Sequence, residues 1–477
     1  MATKPNAALP KTRPRLRGEP DHQEPAESRQ PIDIIRLASL CLTGLLIGVN
    51  DITYPPPPRA ASLESFLVSS ARTIFPFTVA CILAAAFLDP IVRCARFPPS
   101  SILALASLLI AGAHASALTL PSSWSQTVPC AVLRHLLLGV GNTLSLTIAT
   151  LSSSRTTTLG LLHGTAALGA VLRTAVAAST TADSRATMMI PGRKGQHLAV
   201  LVLGLATAAS LLPSPRPDRH GAGECGRHPK GPMHGDTETQ THRTHTPQPA
   251  PPPPASRPEK PLHRETNAQY PPPASRITTL TALLALAHHG TLVALPAGLV
   301  SLSPSVGEQK HIVHVAAAAF WTGVAISRFF MMLPPRREQH IRAKQAVVSR
   351  AVLVAAGCFL LLLSCWLFLT WGMAGHTTAA AAAVVGFMLG PVYPWVVGVF
   401  KREMDEDEAL SGVGIVVAFG YAGEMLALLT VQLVAHLGAP VVMYVVIAGL
   451  VGGMLVCWKA LIEDEGGEAG AAPGVDV

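Results

Sequence analysis

The chain has 477 residues, and only 13% of them carry a formal charge, about half the roughly 25% usual in soluble domains. Apolar residues make up 49% and the mean hydropathy is +0.39. So little charge cannot cover the water-facing surface of a chain this long. The composition points to a multi-spanning membrane protein and argues against a soluble enzyme.

Residues 1–31 are basic but hold no apolar core before Ile32, so they read as a cytosolic tail and not as a cleavable signal peptide. A crossing needs roughly 20 apolar residues. Candidates follow near 34–54, 73–92, 101–120, 127–151, 158–181 and 197–213. The stretch from 97 to 133 has no formal charge and is too long for one crossing; Pro121-Ser122-Ser123 marks a hairpin inside it. Residues 214–276 then hold 15 of the 41 prolines and little apolar surface, which predicts a disordered cytosolic linker. Six more candidates lie near 277–303, 311–333, 349–372, 378–400, 410–435 and 438–461, before a tail at 462–477. The expected architecture is therefore all-α: twelve transmembrane helices in two six-helix bundles, 32–213 and 277–461. Equal halves joined by one linker suggest pseudo-symmetric bundles with a site between them at mid-membrane.

Lysine and arginine placement predicts the orientation. Even without the linker, the segments on the N-terminal side carry 19 of them, against 6 in the opposite loops. Both termini are expected in the cytosol. The net charge of +8 is a property of loops and fits anionic lipid headgroups, not nucleic acid. None of the eight cysteines forms a CxxC pair, so they read as small hydrophobes. No nucleotide-binding loop, metal cluster or nucleophile–base spacing stands out, and no cofactor is expected.

Ionisable and polar groups inside spans are functional candidates because charge in hydrocarbon costs several kcal/mol. Asp51 lies near the far end of the first span, where position alone reads as a hydrated helix-end acid. Glu424 is the one acid well inside a span, where it must be neutral, paired or facing water. His288 and His289 in span seven, His163 in span five and Asn142 in span four are cavity candidates. A buried histidine that only bonds a neighbouring carbonyl is the competing reading. Gly160/Gly164, Gly386/Gly390 and Gly449/Gly453 sit at helix-contact spacing. Trp458 is expected as an interface anchor.

Four segments carry a family resemblance. They are Gly48-Val49-Asn50-Asp51; Ala84-Ala85-Ala86-Phe87-Leu88 before a short basic loop; Leu162-His163-Gly164 followed by Leu168-Gly169-Ala170; and Gly390-Pro391-Val392-Tyr393-Pro394. Together with the layout, they resemble the major facilitator superfamily, most of all its fucose-permease-like branch, which includes fungal proteins of unassigned substrate. The superfamily's loop after span two is similar here in Asp89 and Arg93, while Ala85 and Val92 replace its glycines. The matching loop of the second half retains Gly323 and Arg328. The resemblance implies that Asp89, Arg93 and Arg328 belong to conformational-switch loops, and that Asp51 is a proton or substrate site. The branch's usual span-seven acid is missing from Ala287-His288-His289-Gly290, and Leu144 stands near the span-four acid of the sugar/proton symporter.

The function so implied is secondary active transport of a small solute by alternating access, sugar-like and proton-coupled by family analogy. The expected partners are that solute, protons and the bilayer, with the chain a monomer in the plasma membrane or an organelle membrane. The alternative reading is a sensor or scaffold that keeps a transporter fold without transport.

Overall fold

The computed structural model describes residues 34–51, 68, 72, 74–95, 97–120, 127–153, 156–182, 192–212, 273–302, 309–330, 375–404, 406–437 and 440–470. Every regular element among them is a helix. The first half gives α1 (Ile34–Asp51), α2 (Ile74–Ala95), α3 (Pro99–Thr119), α4 (Val128–Ser152), α5 (Thr156–Ala182) and α6 (Gly192–Leu211). The second gives α7 (Pro273–Leu302), α8 (Gln309–Phe330), α9 (Gly375–Leu389), α10 (Val392–Glu403), α11 (Glu406–Leu437) and α12 (Pro440–Gly470). The expected tail 1–31, nearly all of the 214–276 linker and the ninth span at 349–372 lie outside the described residues.

Seven of the helical stretches are long and apolar enough to cross a bilayer, and four shorter apolar helices accompany them. Large apolar side chains such as Phe75, Leu133, Val202, Ile326 and Val456 point outward. Ser and Thr side chains such as Thr143, Ser145 and Thr147 of α4 point inward. Apolar-out with polar-in suits a lipid solvent, where burial of apolar surface gives little drive and close packing does the work.

The two halves repeat one packing scheme. In the first, α1 lies on α5 so closely that a β-carbon on Gly48 would overlap the Ala166 carbonyl. In the second, α11 lies on α7, with Gly423 against the backbone of Leu286. In the same way α2 packs on α4, with Gly139 against the Phe77 carbonyl, and α8 packs on α9, with Gly386 against the Phe320 carbonyl. Gly390 also faces α8, as its spacing suggests, while Gly449 and Gly453 face no described neighbour. The bundles meet along α5–α8, where Gly164 faces Phe329, and along α2–α11, where Gly414 faces Ala85.

The expected tenth span is two helices, because prolines remove two donors. Pro391 cannot donate to the Phe387 carbonyl, and Pro394 cannot donate to Gly390. The ladder stops at Gly390 N–H to Gly386 O, 2.9 Å, and resumes at Trp395 N–H to Pro391 O, 3.1 Å. The inner carbonyls at this break are left for side chains from other helices.

Candidate functional site

Side chains from two different helices reach carbonyls at the break: Gly390, which Pro394 leaves without its helical donor, and Leu389 beside it. His288 Nε2 on α7 lies 3.1 Å from the Leu389 carbonyl. A carbonyl only accepts, so this nitrogen carries the proton, and in a neutral ring Nδ1 is a bare acceptor. Arg328 on α8 donates from Nε to the Gly390 carbonyl at 3.0 Å. Its terminal nitrogen donates to the His163 carbonyl on α5, also at 3.0 Å. One guanidinium therefore ties the broken span of the second bundle to a helix of the first. The resemblance implies a loop position for Arg328. The structure places it inside α8, 5% exposed, two residues before the helix ends.

Tyr393 opens α10 just past the break and is 1% exposed. Three histidine rings surround it. His289 meets it edge-on at 4.6 Å, His163 edge-on at 5.2 Å, and His288 stacks at 6.0 Å. The cluster thus draws on α5 of one bundle and α7 and α10 of the other. Next to it, His289 Nδ1 lies 2.8 Å from Glu424 Oε1 on α11. At that distance one proton must sit between them, on either partner. Glu424 lies roughly 27 Å along α11, a helix of about 48 Å, so the pair is central in depth.

Four polar atoms of this cluster have no partner among the described residues. They are His163 Nε2, His288 Nδ1, His289 Nε2 and the Tyr393 hydroxyl, all buried. A buried polar group left unpaired costs about 1–3 kcal/mol. All four gather at the Tyr393 ring, between the two bundles. The three histidines are not arranged as a metal-ligating set among the described residues.

The sequence candidates therefore fall into two groups. His163, His288, His289 and Glu424 come together at the bundle interface, joined by Arg328, expected in a switch loop, and by Tyr393, which the structure adds. Asn142 sits elsewhere, inside the first bundle. It accepts from Asn50 Nδ2 at 2.9 Å; Asn50 Oδ1 faces His114 Nε2 at 3.0 Å; His114 and His197 bring their Nδ1 atoms within 2.8 Å. Since Asn50 Oδ1 only accepts, the proton order runs from His197 through His114 to Asn50. Asp51 closes α1 beside this network, and Arg93 lies near the end of α2; the side chains of both lie outside the described set. Asp89 is half-buried on α2 just before Pro90. Trp458 is not an exposed anchor: it is buried on Trp395, with ring centres 4.7 Å apart.

Tyr393 and Lys401 are not among the candidates that the sequence offered in this region, and Arg328 was expected in a switch loop and not at the cluster. A usable signal was present in Gly390-Pro391-Val392-Tyr393-Pro394, since two prolines at that spacing free carbonyls that need foreign donors.

This arrangement of two like bundles, with a broken span and a polar cluster between them, is the major facilitator fold. Two solved structures of the transporter FucP share it. One, FucP in the outward conformation, aligns with 88% of this chain and 99% of its own at 12% identity and a TM-score of 0.51. The other, the E. coli fucose:proton symporter FucP, aligns with 90% of this chain and 98% of its own at 14% identity and a TM-score of 0.54. No protein-family model matches the chain, and no curated protein matches it.

Proposed function

We propose that this protein is a secondary transporter that carries a small polar solute across a membrane by alternating access, with the solute held against Tyr393, His163, His288 and His289. The carrying observation is the cluster itself: four unpartnered polar atoms contributed by both bundles at the seam where a transporter of this fold must open and close. His288 Nδ1 asks for a hydrogen-bond donor, while the Tyr393 hydroxyl takes either role. A hydroxyl-rich, sugar-like solute meets both demands. The FucP likeness agrees with this reading at the level of fold.

The His289–Glu424 pair supplies the proton function in this reading. It holds a proton at 2.8 Å beside the solute position, so solute binding and proton occupancy bias one another. The test is a solute panel presented to proteoliposomes, with and without an inward pH gradient. The expected result is accumulation of a neutral polyhydroxylated solute that rises with the gradient and collapses with a protonophore. Uptake of no solute under either condition overturns the transport reading. Uptake indifferent to the gradient overturns only the coupling.

A further inference from the structure

At one face of the molecule, where the α4–α5 and α10–α11 connections lie, a lysine reaches from the second bundle into the first. Lys401 Nζ, near the end of α10, lies 2.9 Å from the Thr150 carbonyl, 3.1 Å from Leu151 and 2.8 Å from Ser153. These three carbonyls end α4, where the helix supplies few donors of its own. An ammonium has three N–H groups. All three are therefore engaged, every acceptor is backbone, and every acceptor belongs to the other bundle. No carboxylate lies within salt-bridge distance of Lys401 among the described residues.

Two physical consequences follow. A cation at a helix C-terminus is stabilised by the partial negative charge there, the more so when half-buried, as Lys401 is. The bonds also exist only while the two bundles touch at this face. When the bundles part, water solvates both the ammonium and the carbonyls, so the interaction weighs on the closed state alone. Arg328, with its bond to the His163 carbonyl, is a second cation-to-carbonyl tie between bundles, nearer the cluster.

We infer that Lys401 is a latch that holds this face of the protein shut by capping α4, and so sets the balance between the two access states. The inference rests on the alternating-access reading and adds to it the residue that weights one state.

Hydrogen–deuterium exchange on the full-length protein in detergent tests it without a solute. In Lys401→Met, amides at 148–153 and 396–404 are expected to exchange about tenfold faster than in the parent. The same rise is expected at 83–87 and 412–416, around the Ala85–Gly414 contact, which joins the bundles without touching Lys401. The α1–α5 seam near Gly48, inside the first bundle, is expected to stay unchanged. Acceleration confined to 148–153 means that Lys401 only prevents fraying of α4, and it overturns the latch. No acceleration anywhere overturns it too. Lys401→Gln serves if the methionine variant does not fold: its neutral amide is shorter, carries no charge and has two N–H groups, so a smaller rise at the same four segments is expected. Unchanged exchange in a folded Lys401→Gln then also overturns the inference. Solute uptake with unaltered exchange sinks the latch alone, and altered exchange without uptake of any solute sinks the transport reading alone.

Discussion

Tyr393→Phe separates a solute-binding role from a structural one, because the two predict opposite signs. The ring makes the packing contacts with the three histidines, and phenylalanine keeps them. Only the hydroxyl is lost, and in the described structure it is buried with no partner. Removing an unpaired buried hydroxyl relieves a cost of about 1–3 kcal/mol. The solute-free variant is therefore expected to be more stable than the parent by an amount in that range, read as a later midpoint in thermal unfolding in detergent. The solute-bound state loses one hydrogen bond worth about 0.5–1.5 kcal/mol, which weakens binding by about two- to twelvefold. The assay is a pair of melts, with and without the transported solute at a fixed excess. The expected outcome is a raised baseline and a reduced solute-induced shift. A lower baseline shows that the hydroxyl already has a partner, and an undiminished solute shift shows that it never meets the solute. Either result refutes the reasoning.

Glu424→Gln keeps the size and most of the hydrogen-bonding capacity but cannot titrate. Gradient-driven uptake is expected to disappear while solute exchange at equal pH persists; unchanged uptake in a gradient transfers the proton role away from this pair. Gly48→Ala drives a β-carbon into the Ala166 carbonyl, a backbone atom that cannot rotate away. A loss of about 1–3 kcal/mol or more follows from such overpacking, and a melt indistinguishable from the parent argues against the α1–α5 seam. Deleting 220–270 is expected to leave the helical content and melt in detergent unchanged, since that stretch offers little apolar surface to bury; a shifted melt contradicts this. A cysteine at position 256 is expected to resist an impermeant thiol reagent in intact cells and to react after permeabilisation; labelling before permeabilisation reverses the orientation.

What could be read from the sequence was whatever depends on solvent preference along the chain. Each described crossing was foreseen because runs of about 20 apolar residues have few other uses. Glu424 and the paired histidines were visible because a polar group in such a run needs a reason. The ends were less legible. Helix α7 begins at Pro273, before the apolar window opens, and α12 continues to Gly470 through Glu- and Asp-bearing sequence. A helix persists into water on its own hydrogen bonds, and glutamate is a good helix former. Least legible were the contacts of Arg328 and Lys401. Their acceptors are carbonyls 62 to 251 residues away, and a carbonyl leaves no mark on side-chain identity. Trp458 misled for a related reason. Its position near a span end suits an interface anchor, but a stacking partner on another helix took it inward.

The shortness of α10 has a mechanical consequence. It is twelve residues, about 18 Å, with its one internal proline in the first turn, where no helical bond is lost. A rod of that kind does not bend between its ends. Tyr393 stands at one end and Lys401 near the other, separated by about 12 Å of rise. At Gly390 and Pro391 the helical ladder between α9 and α10 is interrupted, so α10 is a unit separate from α9. On the proposed reading, a solute that shifted α10 as a rigid unit by about 1 Å would move Lys401 by the same amount, enough to stretch hydrogen bonds of 2.8–3.1 Å past their useful range. In the proposed transport cycle such a rod would couple the solute position at one end to the Lys401 contact at the other.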